Sequence, residues 1–308
     1  MAESKTFSEQ KSLNTCTYYE DIEVDVKYEK EFNVGDSRTS TICLISETEA
    51  WVRSDKLNKL VNDSGNMKRS LDSKCLLFHF AVSENGITYF CDPDDKDVIQ
   101  IDKKGEIGAL FSVTPLIPSY INLTRSGDLL ITLEDEDSYV RNSSSRRLVR
   151  RTSMTGEALM EYEYDSDGKT PLFCRPMRPI EHVNGNICVI NQYEQEPDIY
   201  SGTIYGFDSR GKINFKYSGI DGDFNPVDIC CDTVGNIFIS DCINKQIHII
   251  DLKGRFVCFL TLEPFKERLL AISMYDSKLW VGSYDSGLIK VFQFKLSRKN
   301  YVLNRNDN

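Results

Sequence analysis

Pro226-Val-Asp-Ile-Cys-Cys-Asp232, Asn236-Ile-Phe-Ile-Ser-Asp241, Gln246-Ile-His-Ile-Ile-Asp251 and Arg255-Phe-Val-Cys-Phe-Leu260 are four short runs separated by turn residues, with Val234-Gly235 after the first and Gly254 after the third. They are rich in β-branched and aromatic residues, which fit a pleated, half-buried surface. Four such runs joined by short connections describe a four-stranded antiparallel meander.

The same order returns from Phe78 to Phe111, with turns at Asn85-Gly86 and Lys104-Gly105. A small polar residue precedes the second-turn glycine by three positions in five copies: Asn62 and Gly65, Asp102 and Gly105, Ser153 and Gly156, Asp208 and Gly211, Asp251 and Gly254. Such a side chain bonds back to the backbone at the start of a turn, and glycine takes the positive φ at its end. Positions 65, 105, 156, 211 and 254 are separated by 40, 51, 55 and 43 residues, the period of a four-stranded blade with insertions in the third and fourth copies. A sixth copy runs through Lys278-Leu-Trp-Val-Gly-Ser283 and Leu288-Ile-Lys-Val-Phe-Gln-Phe294, then turns polar before a fourth strand. Tyr28-Glu-Lys-Glu-Phe-Asn-Val34 matches the outer strands in pattern and can supply the missing one, closing the ring. The expected fold is all-β: a six-bladed β-propeller spanning 27–296, with a polar N-terminal segment 1–26 and a polar C-terminal tail 297–308.

The run from Pro226 to Phe256 also resembles an NHL repeat: Pro, a short apolar run, Asp, then Gly235-Asn-Ile, a strand ending in Asp241, Asn244, and a strand ending in Asp251-Leu-Lys-Gly254. The other blades match more weakly, and Leu279-Trp-Val-Gly-Ser-Tyr284 resembles the closing blade of NHL propellers in invertebrate tripartite-motif-like proteins. The resemblance implies a recruiting module for protein or RNA, of the kind that ubiquitin-ligase scaffolds carry after a RING, B-boxes and a coiled coil. None of those preceding parts is written in this sequence, so the resemblance carries over the recruiting module alone.

Composition narrows the partners. Of 308 residues, 47 are acidic and 37 basic, a net charge of −10, which disfavours long-range attraction to DNA or to an anionic membrane. Residues 1–20 lack the apolar core of a signal peptide, and no segment is apolar for the length of a bilayer. The ten cysteines are scattered with no CxxC pair, the pattern of reduced thiols used as small hydrophobes in a cytoplasmic protein. Three histidines, none at ligand spacing, give no zinc site, and no metal or other cofactor is expected.

In each blade the second strand ends six residues after the first-turn glycine or its equivalent: Asp55, Asp92, Leu133 followed by Glu134, Asn191, Asp241 and Ser283. Strand polarity repeats, so these positions share one face with the blade-to-blade connections. From this position to the residue before the second turn, the interval is 10 in blades two and five, 20 in blade three and 17 in blade four. Both insertions, Glu134 to Arg147 and Gln192 to Gly202, therefore lie on that face, where long connections on a rigid scaffold usually bind. The candidate binding residues are Asp55, Asp92, Glu134, Tyr139, Arg141, Arg146, Arg147, Asn191, Tyr193, Tyr200 and Asp241. The blade-three arginines, Arg141, Arg146, Arg147, Arg150 and Arg151, can clamp phosphate or pair with Glu134-Asp-Glu-Asp137 in their own hairpin.

The expected function is a non-catalytic, monomeric scaffold that recruits a protein partner. An RNA-binding propeller is the alternative, supported by the arginine run and by Tyr139, Tyr193 and Tyr200. A calcium-dependent lactonase-like hydrolase is the third reading, with Glu181, Asn191, Asp228 and Asp241 as converging ligands and His182 as base. No nucleophile elbow, phosphate-cradling glycine loop or His-Glu zinc motif occurs.

Overall fold

Asp251 and Gly254 close one of the turns that set the architecture. In this computed structural model, which describes residues 22–54, 57–71, 79–135, 144–197, 199–220, 222–262 and 266–298, Asp251 Oδ1 accepts the Arg255 N–H at 2.9 Å. Gly254, at φ +73°, donates its N–H to the Asp251 carbonyl at 2.9 Å. A Cβ there would sit 2.3 Å from the ring of Phe215 in the preceding blade, so glycine serves both the turn and the blade-to-blade packing. The turns at Asn62, Asp102, Ser153 and Asp208 repeat this pattern of side-chain and backbone bonds.

These turns fold the chain into six four-stranded antiparallel sheets. Blade one is β2 (Thr41–Ser46), β3 (Glu49–Ser54), β4 (Leu57–Asn62) and β5 (Met67–Leu71). Blade two is β6 (Phe80–Val82), β7 (Thr88–Asp92), β8 (Asp97–Ile101) and β9 (Ile107–Ser112), and blade three is β10 (Ile117–Leu123), β11 (Leu129–Glu134), β12 (Arg147–Thr152) and β13 (Ala158–Tyr162). Blade four is β14 (Arg175–Glu181), β15 (Ile187–Glu196), β16 (Ile199–Phe207) and β17 (Ile213–Tyr217), and blade five is β18 (Pro226–Cys231), β19 (Ile237–Asp241), β20 (Gln246–Ile250) and β21 (Phe256–Leu260). Blade six combines β22 (Leu269–Tyr275), β23 (Lys278–Ser283) and β24 (Leu288–Arg298) with the N-terminal strand β1 (Ile22–Asn33). The six-bladed propeller read from the sequence is thus the fold.

The closing pair runs from Ile22 opposite Arg298 to Asn33 opposite Leu288, with a bulge between Tyr28 and Lys30. It begins at Ile22 and continues to Arg298, beyond the limits drawn from polarity, because Val24 and Val26 add an apolar face that packs on Phe238, Phe292 and Phe294. Phe32 meets Trp280 edge-on at 5.3 Å between ring centres. The core is distributed: among the described residues, six apolar clusters each join two neighbouring blades. Because the last of these joins blade six to blade one, through Trp280, Ala271, Ile42 and Val52, the ring has no open flank.

Candidate binding site

Within each blade the first strand leads to the second by a turn at one face of the disc, and the second leads to the third at the opposite face. The second-strand ends lie on the latter face, and most of their side chains are used inside the protein. Asp92 is fully buried and accepts the N–H groups of Asp94 and Asp95. Asn191 Oδ1 accepts those of Cys174 and Arg175 at 2.7 and 3.2 Å, which fixes where the chain enters β14. Asp241, also fully buried, accepts from Asn244 and lies 3.2 Å from Nε2 of His248. Ser283 plays the same part for Asp285 and Ser286. An Asp, Asn or Ser at a strand end is suited to this, since its short side chain reaches the next two or three backbone N–H groups. Asp55 lies outside the described residues.

The arginines of blade three are paired with carboxylates of their own hairpin and its neighbour. Arg146 forks onto Glu163, with bonds of 2.9 and 2.6 Å. Arg147 is wholly buried with Glu134 at 3.4 Å and Asp135 at 2.9 Å. Arg150 pairs with Glu161, and Arg151 with Asp128. Tyr139 and Arg141 lie outside the described residues. Four of the five arginines are therefore engaged in a manner that leaves the phosphate clamp without its donors.

The blade-four insertion is not a loop. β15 and β16 stay paired outward past Gln192 and Gly202, through Tyr193 opposite Ser201 and Glu194 opposite Tyr200, then across a bulge to Glu196 opposite Ile199. The base is anchored on blade five: Gly202 donates its N–H to the Phe224 carbonyl at 3.1 Å, and Gln192 donates to Asn225 at 3.0 Å. At the tip Glu194, Gln195, Glu196 and Ile199 are exposed, with Tyr193 and Tyr200 half-buried. Asp94, Asp95 and Asp223 are exposed on the same face.

The six innermost strands, β2, β6, β10, β14, β18 and β22, line a central channel that a buried network crosses at its waist. Arg178 lies at the centre of that network. Its Nη2 donates to the Ser40 carbonyl of blade one at 2.7 Å, its Nε lies 3.5 Å from Asp228 Oδ1 of blade five, and its guanidinium stands 5.1 Å over the Tyr120 ring of blade three. Asp228 Oδ2 in turn accepts the Ile272 N–H of blade six at 2.9 Å. His79 of blade two completes the circuit, with Nδ1–H donating to the Ile121 carbonyl at 2.8 Å and its ring edge-on to Tyr120. Burial and the nearby Arg178 push the His79 imidazole well below its ordinary value, so it is neutral. Burial raises the Asp228 carboxyl, with Arg178 and the Ile272 and Ile229 N–H groups opposing. No sequence signal marks this network, because each blade contributes a residue or two far apart in the chain.

Below the waist the channel opens as a cavity of about 630 Å³ toward the face of the first-to-second-strand turns, Ser83 to Asn85 and Thr124 to Gly127 among its rim. Cys43, Cys230 and Cys231 line it. Burial lifts their thiols, Cys43 to about 12 and Cys231 to about 11, so none is a thiolate nucleophile near neutral pH.

No protein-family model and no curated protein matches this chain. Its likeness is to solved structures. One is a catalytically inactive virginiamycin B lyase from Staphylococcus aureus with quinupristin, 13% identical, covering 88% of this chain and 99% of that one at a TM-score of 0.60. A gluconolactonase from Xanthomonas campestris is 13% identical over 92% of this chain and 99% of its own, at 0.62. The WD40 β-propeller domain of Doa1 is 10% identical over 87% and 97%, at 0.54. At such identities the likeness shows the propeller fold alone.

The residues offered for metal-assisted hydrolysis do not converge. Asn191 lies within β15 and Asp241 at the end of β19, Glu181 lies at the opposite channel mouth accepting the Arg125 N–H, and Asp228 faces the Arg178 guanidinium. Among the described residues no group of three or more His, Cys, Asp or Glu is placed to hold a metal ion. His182 is bonded to the Gly235 carbonyl at 2.8 Å and to Asn184, tied into two turns and not poised as a base.

Proposed function

We propose that the chain is a non-catalytic binding propeller that recruits a protein partner through the face carrying the β15–β16 hairpin. The carrying observation is that hairpin: strand-paired as far as Glu196 and Ile199, anchored at its base on blade five, and exposing Ile199 opposite Glu196. A pre-ordered contact element loses little entropy on binding. At the hairpin tip the exposed carboxylates of Glu194 and Glu196 favour a partner segment that presents basic residues there, while Lys245 and Lys266 are exposed elsewhere on the face. The two carboxylates repel phosphate, which weighs against the RNA reading, as does the internal pairing of Arg146, Arg147, Arg150 and Arg151. The NHL resemblance of Pro226 to Phe256 adds a finer reading, in which the recruited partner belongs to a ubiquitin-ligase-type pathway.

The test is affinity capture with the intact chain beside two variants, one with residues 193–200 replaced by Asn-Gly and one carrying Glu194→Lys with Glu196→Lys. A partner set lost from both variants, and weakened by salt with the intact chain, is the expected result. Equal recovery from all three chains would remove the hairpin from the reading. Recovery of RNA in place of protein would overturn the choice of partner class.

A further inference from the structure

We propose that β9 (Ile107–Ser112), the outer strand of blade two, is a self-association edge: it pairs antiparallel with β9 of a second copy, so that two blades form one continuous sheet across a two-fold axis. The dimer is reversible, in place of the monomer expected from the sequence. It does not depend on what the β15–β16 hairpin binds.

The six outer strands supply the comparison that singles out β9. A strand at a sheet edge presents a row of unpaired backbone N–H and C=O groups, and native edges are blunted with charge or covered. Four of the six carry charge: β1 from Glu23 to Glu31, β5 at Lys68 and Arg69, β13 at Glu161 and β17 at Lys216. β21 carries none, but its Val257, Cys258 and Leu260 are buried in one cluster with Val24 and Phe294 of blade six. β9, Ile-Gly-Ala-Leu-Phe-Ser, has neither protection. Ile107 is 60% exposed, Gly108, Ala109 and Ser112 are exposed with it, and among the described residues β9 pairs with β8 alone.

Charge at the two ends of β9 selects a second copy as the occupant, and the antiparallel sense as its arrangement. The turn before the strand, Asp102, Lys103, Lys104 and Glu106, is balanced and exposes both lysines. At the far end Asp97 lies opposite Ser112, and Val113 donates its N–H to the Lys96 carbonyl at 2.8 Å. That end, Asp94, Asp95, Lys96 and Asp97, has three acids to one base and exposes Asp94 and Asp95. A parallel pair would set each end against its like, whereas an antiparallel pair sets the lysines of one copy toward the aspartates of the other at both ends. Two chains of net charge −10 also meet with least repulsion along a stretch of rim that bears no charge of its own. The contact is short, and a bulge at Leu110, between Ala109 opposite Ile99 and Phe111 opposite Val98, bends it. Six residues a side, against the roughly 20–30 of a standard stable interface, make the association weak and concentration-dependent.

The experiment is sedimentation velocity on the full chain from about 5 to about 500 μM, the range in which a weak interface of this size is populated. The sedimentation coefficient should rise with concentration toward that of two chains and stop there. Ile107→Lys, which charges the edge at an exposed position, should weaken association at least about tenfold while leaving the unfolding temperature within about 2 °C. Leu159→Lys, at a 47% exposed position on β13, is the control and should leave the rise intact. Lys103→Glu with Lys104→Glu should dissociate the pair, and Asp94→Lys with Asp95→Lys added to the same chain should restore it. A single chain at every concentration would overturn the proposal, as would equal weakening by Ile107→Lys and Leu159→Lys. Growth beyond two chains would overturn the two-fold arrangement, and failure of the exchanged charges to restore association would overturn its antiparallel sense.

Discussion

Asp241 ends β19 with Oδ1 accepting the Asn244 N–H and Oδ2 accepting from both the Asn244 amide and Nε2–H of His248. Because the carboxylate can only accept, His248 turns Nε2–H to it, and Nδ1 on the other side of the ring lies 2.7 Å from the Tyr217 hydroxyl. Asp241→Ala should cost about 1–3 kcal/mol in urea unfolding by leaving these buried donors unmet, and Asp241→Asn distinctly less, since its amide oxygen still accepts the turn N–H. Burial alone would raise Asp241, but the His248 and Asn244 bonds outweigh it and hold the group below its ordinary value of 3.8. Bonds from the N–H of Glu106 and Lys212 hold Asp102 and Asp208 down in the same way. A depressed carboxylate binds fewer protons in the folded state, so its stabilisation is present in full above 3.8 and is lost as pH falls through the lower folded value. Thermal unfolding followed from pH 5 to pH 2 should therefore show a steep acid limb, and Asp241→Asn should flatten part of it. Arg178→Met should cost about 3–5 kcal/mol, because it strands Asp228 at the waist, and Asp228→Leu added to it should recover most of that loss. Recovery of none of it would show that the guanidinium stabilises the waist through Ser40 and Tyr120 instead.

At the scale of the element, what could be read in the chain depended on whether the signal was local. Asp102 with Gly105 and Asp251 with Gly254 carry the whole geometry of a turn in four residues, so the strands between such pairs, and the donor strand for blade six, were visible in advance. The waist was not: His79, Tyr120, Arg178, Asp228 and Ile272 lie in five blades, and Arg178 stands between Met177 and Pro179 in no motif at all. The second-strand ends fall between these cases. An aspartate there carries one signal whether it faces a ligand or bonds the next turn, and only burial shows Asp92 and Asp241 bonding the turn. Residues 192–202 read as a connection because the interval alone was long, whereas the alternation of Tyr193 and Tyr200 with Glu194 and Ser201 continues the strands. Since the described residues of the hairpin tip belong to none of the six apolar clusters, replacing residues 193–200 by Asn-Gly should shift the unfolding temperature by no more than about 2 °C, the scale of a change at an exposed surface. A drop well beyond that, in calorimetry, would show the tip to be part of the framework.

For the whole molecule, stability rests on six blade interfaces of which the last is closed by β1 and β24. Ile22 faces Arg298 across that pair, so a short turn can join them. A circular permutant linked from Arg298 to Ile22 and opened in the connection between β5 and β6 should keep the native unfolding temperature and cooperativity. A chain lacking residues 22–33 should lose both, because it exposes the unpaired edge of β24 and uncovers Phe292 and Phe294. The antiparallel sense of the closing pair also has a mechanical result. Tension on the two chain ends meets Ile22 and Arg298 at the same extremity of the ladder, so its bonds are loaded one after another and not all together. The ring, held together by its shared cores, should nonetheless come apart under low force in an optical trap, peeling from that extremity toward Asn33.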